Sequence, residues 1–155
     1  NKKLAGLEEK VNELVARLAE KGIEAWGNKE ITALCDQLNE ENDAATLCEE
    51  YLAPKIYLAL VEEMEDAIDM INRYSGGHTA VIVTNDSEKA DEFMQEVDCA
   101  AVYHNASSRF TDGGQFGVGA EIAISTQKLH FRGPLGAGEL VTNKWFVHGS
   151  GQTRE

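Results

Sequence analysis

Asn105, Ser107, Ser108 and Arg109 bring an amide, two hydroxyls and a guanidinium together at the head of a glycine-rich stretch that runs to residue 138. A guanidinium holds a carboxylate or phosphate through two parallel hydrogen bonds, and neighbouring hydroxyls complete such a cradle. The stretch shows neither helical nor strand alternation, yet it carries Phe110, Phe116, Val118, Ile122, Ile124, Leu129 and Phe131, apolar side chains that a solvated linker would lack. Long irregular segments inside compact domains are functional or disordered, and this composition favours the first. On the residues alone it is a shaped polar loop able to hold an anion. The competing reading is a surface loop whose Arg109 pairs with Asp112 or Glu121.

Other reactive side chains are sparse. Cys35, Cys48 and Cys99 are odd in number and lack C-x-x-C spacing, so they suggest neither a zinc site nor a disulfide framework. Cys99 falls inside a predicted strand, where burial would raise its pKa and leave it inert. The histidines at 78, 104, 130 and 148 have no ligand spacing. Glu50-Tyr51-Leu52-Ala53-Pro54 reads by itself as a turn entering a strand.

The elements that must carry these groups alternate. Leu4, Leu7, Val11, Leu14, Val15 and Leu18 recur at steps of three and four, which predicts an amphipathic helix that Gly22 stops. A short strand at 23–26 and a helix at 29–38 follow, then a polar loop. Residues 55–61 read as a strand buried on both faces. Met64, Ala67, Ile68 and Ile71 form one helical face, ended by Ser75-Gly76-Gly77. Residues 80–84 are a second apolar strand, Asp86-Ser87 caps a helix through Gln95 with Ala90, Phe93 and Met94 inward, and 100–103 is a third strand. Such alternation implies βαβ units, hence an α/β fold with a mainly parallel sheet flanked by helices. Ligands of such sheets bind beyond the carboxyl ends of the strands, which is where Asn105 stands. Residues 140–148 form a candidate closing strand.

The formal net charge is −13, and 23 of the acidic residues lie in 1–98, on the helices. That balance excludes a nucleic-acid partner, which demands basic surface. No apolar run approaches the ~20 residues of a membrane span, and the opening NKKLAGLEEK is not a secretory signal. The expected location is cytoplasmic.

The segment NASSRFTDGGQFGVGAEIAISTQKLHFRGP closely resembles the C-terminal signature of the gamma-glutamyl phosphate reductase family, a branch of the aldehyde dehydrogenase superfamily. The resemblance spans nearly the whole chain and is strongest over 72–148. It implies part of an aldehyde-dehydrogenase-like catalytic domain at 1–138 and an oligomerisation strand and tail at 139–155. It also implies NADP as cofactor, L-glutamyl 5-phosphate as the small-molecule substrate, proline biosynthesis as the setting, and a homo-oligomer. By the same resemblance Glu50 accepts hydrogen bonds from the nicotinamide ribose, with Glu49 as the competing assignment, and Leu52 packs beside the nicotinamide. Asn105, Ser107 and Arg109 line the substrate side, where Ser107 and Arg109 bind a phosphate or carboxylate, and Phe116 lines the substrate tunnel. The family's nucleophilic Cys and dinucleotide-binding domain precede the part that this chain resembles. No catalytic residue and no metal ligand is therefore expected here, and the chain alone is expected to be inactive. Ser108, His104, Phe131 and Cys99 depart from the family's usual Thr, apolar residue, Ala and Ser. A stand-alone assembly domain pairing through 140–148 is the alternative.

Overall fold

The computed structural model describes residues 5–119, 121, 122, 124–128 and 130–154; Leu4 of the first predicted helix and Leu129 of the glycine-rich stretch lie outside them. Helix α1 (Leu7–Glu20) buries Val11 and Val15, with Leu7 and Leu18 packed beside them. Leu14 sits at the edge of this stripe and is exposed, because 7, 11, 15 and 18 already fill the inward face. The helix ends in paired bonds from Gly22 N to Ala19 O and from Ile23 N to Leu18 O, with Gly22 at φ +69°. That left-handed turn is what a glycine just past a helix supplies.

The chain then lays down β1 (Glu24–Gly27), α2 (Lys29–Thr32) and β2 (Asn39–Glu40). The helix expected through residue 38 stops after one turn. Ile31, Cys35 and Leu38 still reach the core, because the chain continues in single turns, Cys35 N to Thr32 O and Leu38 N to Cys35 O. Successive turns reproduce the helical spacing of apolar residues, so periodicity alone does not separate the two. A 3-10 segment (Ala44–Cys48), capped by Asp43, replaces part of the expected loop and leads to β3 (Lys55–Leu58). Strand β1 lies between β2 and β3, all parallel. Having one ladder neighbour among the described residues, β3 is half-buried rather than covered on both faces, and Ile56 is exposed.

Helix α3 (Met64–Tyr74) opens with a Glu63–Asp66 capping box and buries Ile68. Strand β4 (Thr79–Ile82), helix α4 (Ser87–Glu96) and strand β5 (Ala101–His104) form a βαβ unit with β4 and β5 parallel. The Asp86 carboxylate caps α4 by accepting from Glu88 N and Lys89 N. Phe93 and Ala90 are buried, while Met94, expected inward, is exposed. The architecture is thus α/β with parallel strands and flanking helices. The strands form two ladders, β2-β1-β3 and β4-β5, each over its own apolar cluster.

The glycine-rich stretch folds back onto this frame. An isolated antiparallel bridge joins Ile122 to Leu135, and Gly133 N donates to Ile124 O at 2.7 Å. A Cβ at Gly133 would stand 3.0 Å from both Ile124 N and O, so the two segments approach closely only because it is glycine. Arg132 then latches the loop to the βαβ unit. Its Nη1 donates to Asp98 Oδ1 at 2.8 Å, and its Nη2 to Asp98 O at 3.0 Å and Gly77 O at 3.1 Å. Lys128 donates to the other Asp98 oxygen. Gly77 holds φ +72°, and its α-carbon leaves the space that Arg132 Nη2 uses.

These two cations hold the Asp98 carboxyl below its ordinary value of 3.8. A lowered folded pKa stabilises the folded state above the ordinary value and loses that contribution as pH falls through the folded one. At neutral pH, Asp98→Asn should therefore lower the urea midpoint, and the gap to wild type should close as pH falls below 3.8. A gap of constant size down to pH ~2 would mean that the charge is not what acts.

Candidate functional site

Past the carboxyl ends of β4 and β5, Asn105 takes a left-handed conformation, φ 52°. Its backbone N donates to Ile82 O at 2.9 Å. Its side chain accepts from Thr84 N at 3.0 Å and donates to Thr84 O at 2.8 Å. Asn is among the few residues that tolerate this conformation, since its amide can bond locally. The amide expected to face substrate is thus engaged on the backbone of the β4 exit. His104 Nε2 lies 2.9 Å from the same Thr84 carbonyl, so that nitrogen carries the proton.

Ser107 caps the 3-10 turn Ser108–Phe110 by accepting from Arg109 N at 3.3 Å. Arg109 lines an open hollow of about 440 Å³ with Ser107, Phe110, Asp112 and Gln115. Neither anticipated ion pair forms among the described residues. Asp112 accepts from Gly114 N at 2.9 Å and Gln115 N at 3.0 Å, and Glu121 accepts from Gly113 N. With both carboxylates committed to backbone donors, the guanidinium is exposed and has no ion pair among the described residues. Phe116 borders a second hollow of about 190 Å³ that shares Phe110 and Gln115 with the first and adds Tyr103.

A larger cavity, about 720 Å³, lies elsewhere. Glu49, Glu50, Arg73, Ser75, His78, Ser125 and Thr126 supply its polar lining. Both acidic candidates line it, and the Glu50 carboxylate has no protein donor among the described residues. The strand approach beside them is fixed by Lys55, whose ammonium lies 4.2 Å from the Trp26 ring and 4.5 Å from the Tyr51 ring. Burial first, then the Glu49 and Glu41 carboxylates, push the Tyr51 phenol above its ordinary pKa, and it donates to Thr46 O at 3.3 Å. Leu52 is not in the cavity. It is 88% exposed at φ 47°, an uncommon conformation for a bulky side chain. The latch places Ser125 and Thr126, seven and six residues before Arg132, on the cavity wall.

One set of polar contacts was absent from the sequence reading. His78 Nδ1 lies 2.6 Å from Thr79 Oγ1, Thr79 Oγ1 lies 3.4 Å from Thr111 Oγ1, and Thr111 Oγ1 lies 3.0 Å from the Tyr103 hydroxyl. The register pairs Tyr103 with Val81, two residues from Thr79, so both side chains share a sheet face. Alternation along 79–82 and 101–104 held that signal, but only once the register was known. Of the thiols, Cys35 is buried, Cys48 is exposed at the large cavity, and Cys99 lies 3.7 Å from Ser75 Oγ. Among the described residues no group of three or more His, Cys, Asp or Glu is placed to hold a metal, and no helix is long and apolar enough to cross a membrane.

Comparison with known proteins gives a consistent result. The pattern of the aldehyde dehydrogenase family matches residues 35–120. The chain is 46% identical over 154 residues to a gamma-glutamyl phosphate reductase of Clostridium botulinum (strain Alaska E43 / Type E3), covering 99% of this chain and 36% of that protein. It is 47% identical over 142 residues to a gamma-glutamyl phosphate reductase of Desulforamulus reducens, covering 90% and 34%. The crystal structure of gamma-glutamyl phosphate reductase from Thermotoga maritima matches with a TM-score of 0.83 at 41% identity, over 96% of this chain and 36% of that one. The chain spans about a third of the length of these relatives.

Asn105→Ala removes both amide contacts to Thr84 and puts a Cβ without local bonding at φ 52°. It should cost about 2–3 kcal/mol in chemical denaturation, and Asn105→Gly should recover about 1 of these by relieving the backbone. Equal losses in the two variants would leave the left-handed backbone without an energetic role.

Proposed function

The chain belongs to the aldehyde dehydrogenase family, and from that premise we propose that it is the C-terminal portion of a gamma-glutamyl phosphate reductase. In this reading residues 1–138 are catalytic domain and 139–155 an oligomerisation strand and tail. The enzyme reduces L-glutamyl 5-phosphate to L-glutamate 5-semialdehyde with NADPH, in the cytoplasmic synthesis of proline. The observation that carries the reading is the guanidinium of Arg109, which has no ion pair among the described residues and lines an open hollow on the loop past β5. Likeness to gamma-glutamyl phosphate reductases along nearly the whole chain supports the same reading.

Arg109 binds the phosphate or carboxylate of the substrate through its planar fork, with Ser107 adding a hydroxyl. Phe110 borders this hollow and, with Phe116, the adjoining one, which gives the acyl chain an apolar surface to lie against. Asn105 acts at one remove, holding the turn to Thr84. Glu50 accepts hydrogen bonds from the ribose hydroxyls of the cofactor. Its cavity suits a polyhydroxyl group, because a carboxylate without a protein donor stands there with the hydroxyls of Ser75, Ser125 and Thr126. NADPH, when bound, supplies hydride. Leu52, although outside the cavity in this chain, packs by the nicotinamide once the rest of the enzyme is present.

The nucleophile is a cysteine outside these residues. Its thiolate attacks the acyl carbon, the bond to the phosphate oxygen breaks and phosphate leaves, so that one hard step becomes two easier ones. Subunits meet through 140–148, where Trp145, Phe146 and Val147 are exposed and unpaired among the described residues. That exposure also fits the alternative of a stand-alone assembly domain, which predicts self-association of the chain with no ligand dependence.

The reverse reaction in the full-length enzyme, NADP⁺ reduction with semialdehyde and phosphate, tests these roles. Arg109→Ala should raise KM for phosphate about 10- to 100-fold, the loss expected for charge-assisted hydrogen bonds. Glu50→Gln should raise KM for NADP⁺ alone, by about three- to tenfold. The isolated chain should stay silent. Turnover by the isolated chain would overturn the domain reading, and an unchanged phosphate KM in Arg109→Ala would overturn the role of Arg109.

A further inference from the structure

We propose that Thr111 is the positioning residue for Arg109: its hydroxyl, held by Tyr103 and Thr79, seats the turn that presents the guanidinium. The turn lies close to β4, but its side chains do little to hold it there. Residues 105–110 are all exposed, and their side-chain bonds are local apart from the Asn105 clamp on Thr84. At the other end, two residues past Arg109, the chain meets the sheet again at Thr111, which is half-buried. Thr111 Oγ1 is 3.0 Å from the Tyr103 hydroxyl and 3.4 Å from Thr79 Oγ1. The position of Arg109 is therefore set by two anchors, one on each strand exit or face, and Thr111 is the nearer in sequence.

The proton inventory of this anchor is self-consistent. Tyr103, Thr111 and Thr79 each have one hydroxyl proton and can each accept. Protons directed from Tyr103 to Thr111, Thr79 and His78 Nδ1 satisfy every contact, and so does the reverse order beginning at a protonated Nδ1. Either way, removing the Thr111 hydroxyl breaks the chain in the middle and leaves two groups short of a partner. Thr111 is half-buried and its hydroxyl contacts both Tyr103 and Thr79, so the hydroxyl ties the end of the turn to β4 and β5. A displacement of this kind weakens a site because capture of an oriented ligand falls steeply with misplacement of the groups that hold it.

The inference rests on the substrate role proposed for Arg109, and the experiment separates the two. In the full-length enzyme, Thr111→Val keeps the side-chain shape and removes the hydroxyl, Thr111→Ser keeps the hydroxyl, and Arg109→Ala is the reference. Two readouts are taken, amide hydrogen exchange of the segment 105–111 and the kinetics of NADP⁺ reduction with semialdehyde and inorganic phosphate. Thr111→Val should speed exchange in that segment and raise KM for phosphate about three- to tenfold. It should leave kcat within about twofold and KM for NADP⁺ unchanged, while Thr111→Ser behaves as wild type. Adding Tyr103→Phe to Thr111→Val should cost little more, since the contact is already broken. Unchanged exchange in Thr111→Val, or failure of Thr111→Ser to restore both readouts, overturns the proposal. Faster exchange with a phosphate KM unmoved in both Thr111→Val and Arg109→Ala upholds the anchor and removes phosphate from the role of Arg109.

Discussion

Arg132 reaches across 34 positions to Asp98, and the return of the long loop depends on that reach. The stretch after β5 has little regular structure to hold it, and closing a loop of this length costs entropy that its few backbone bridges must offset. Three hydrogen bonds from one guanidinium, two of them to main-chain carbonyls at 77 and 98, converge on the turn between α4 and β5 and the turn between α3 and β4. Asn72 strengthens the same corner, accepting from Asp98 N at 2.7 Å and donating to Glu96 O at 2.9 Å. The latch thus closes on a rigid point of the βαβ unit. A tight fork onto backbone is also a stronger constraint than an exposed ion pair, because each bond has a defined direction.

From that closure follows a division of labour along the loop. Some polar groups spend their hydrogen bonds on the protein: Asn105 on Thr84, Asp112 and Glu121 on glycine amides, Arg132 on Asp98. Others have no side-chain partner among the described residues, Arg109 at one hollow and Glu50 at the large cavity. These two groups carry opposite charge and open into separate spaces. A substrate anion and a cofactor ribose call for donors and acceptors respectively, which is the pairing these two spaces offer.

Much of the frame was legible from residue order. The alternation of apolar strands with capped helices gave the βαβ unit, because Asp86 and the Ser75-Gly76-Gly77 stop act through bonds that span only a few residues. The position of Arg109 past the last strand was legible for the same reason. The extent of α2 was not, since single turns and a helix place 31, 35 and 38 alike. The inward faces predicted for Leu14 and Met94 failed because each lies at the margin of a stripe whose width tertiary packing decides. The Thr79–Thr111–Tyr103 contacts needed a strand register, and the absence of Leu52 from the large cavity needed a backbone angle. Neither is encoded in local periodicity.

The chain has two tryptophans, and the fold gives them opposite surroundings. Trp26 lies half-buried on β1 under the Lys55 ammonium, with its indole N–H shut away from water, whereas Trp145 is 83% exposed in the unpaired C-terminal segment. An indole shut from water emits at shorter wavelength than one bathed in it, so Trp26 weights the blue side of the chain's emission band and Trp145 the red side. Unfolding moves the blue side and leaves the red one, while covering of the C-terminal segment by another chain does the reverse. The protein thereby carries its own optical means of telling loss of fold from gain of a neighbour.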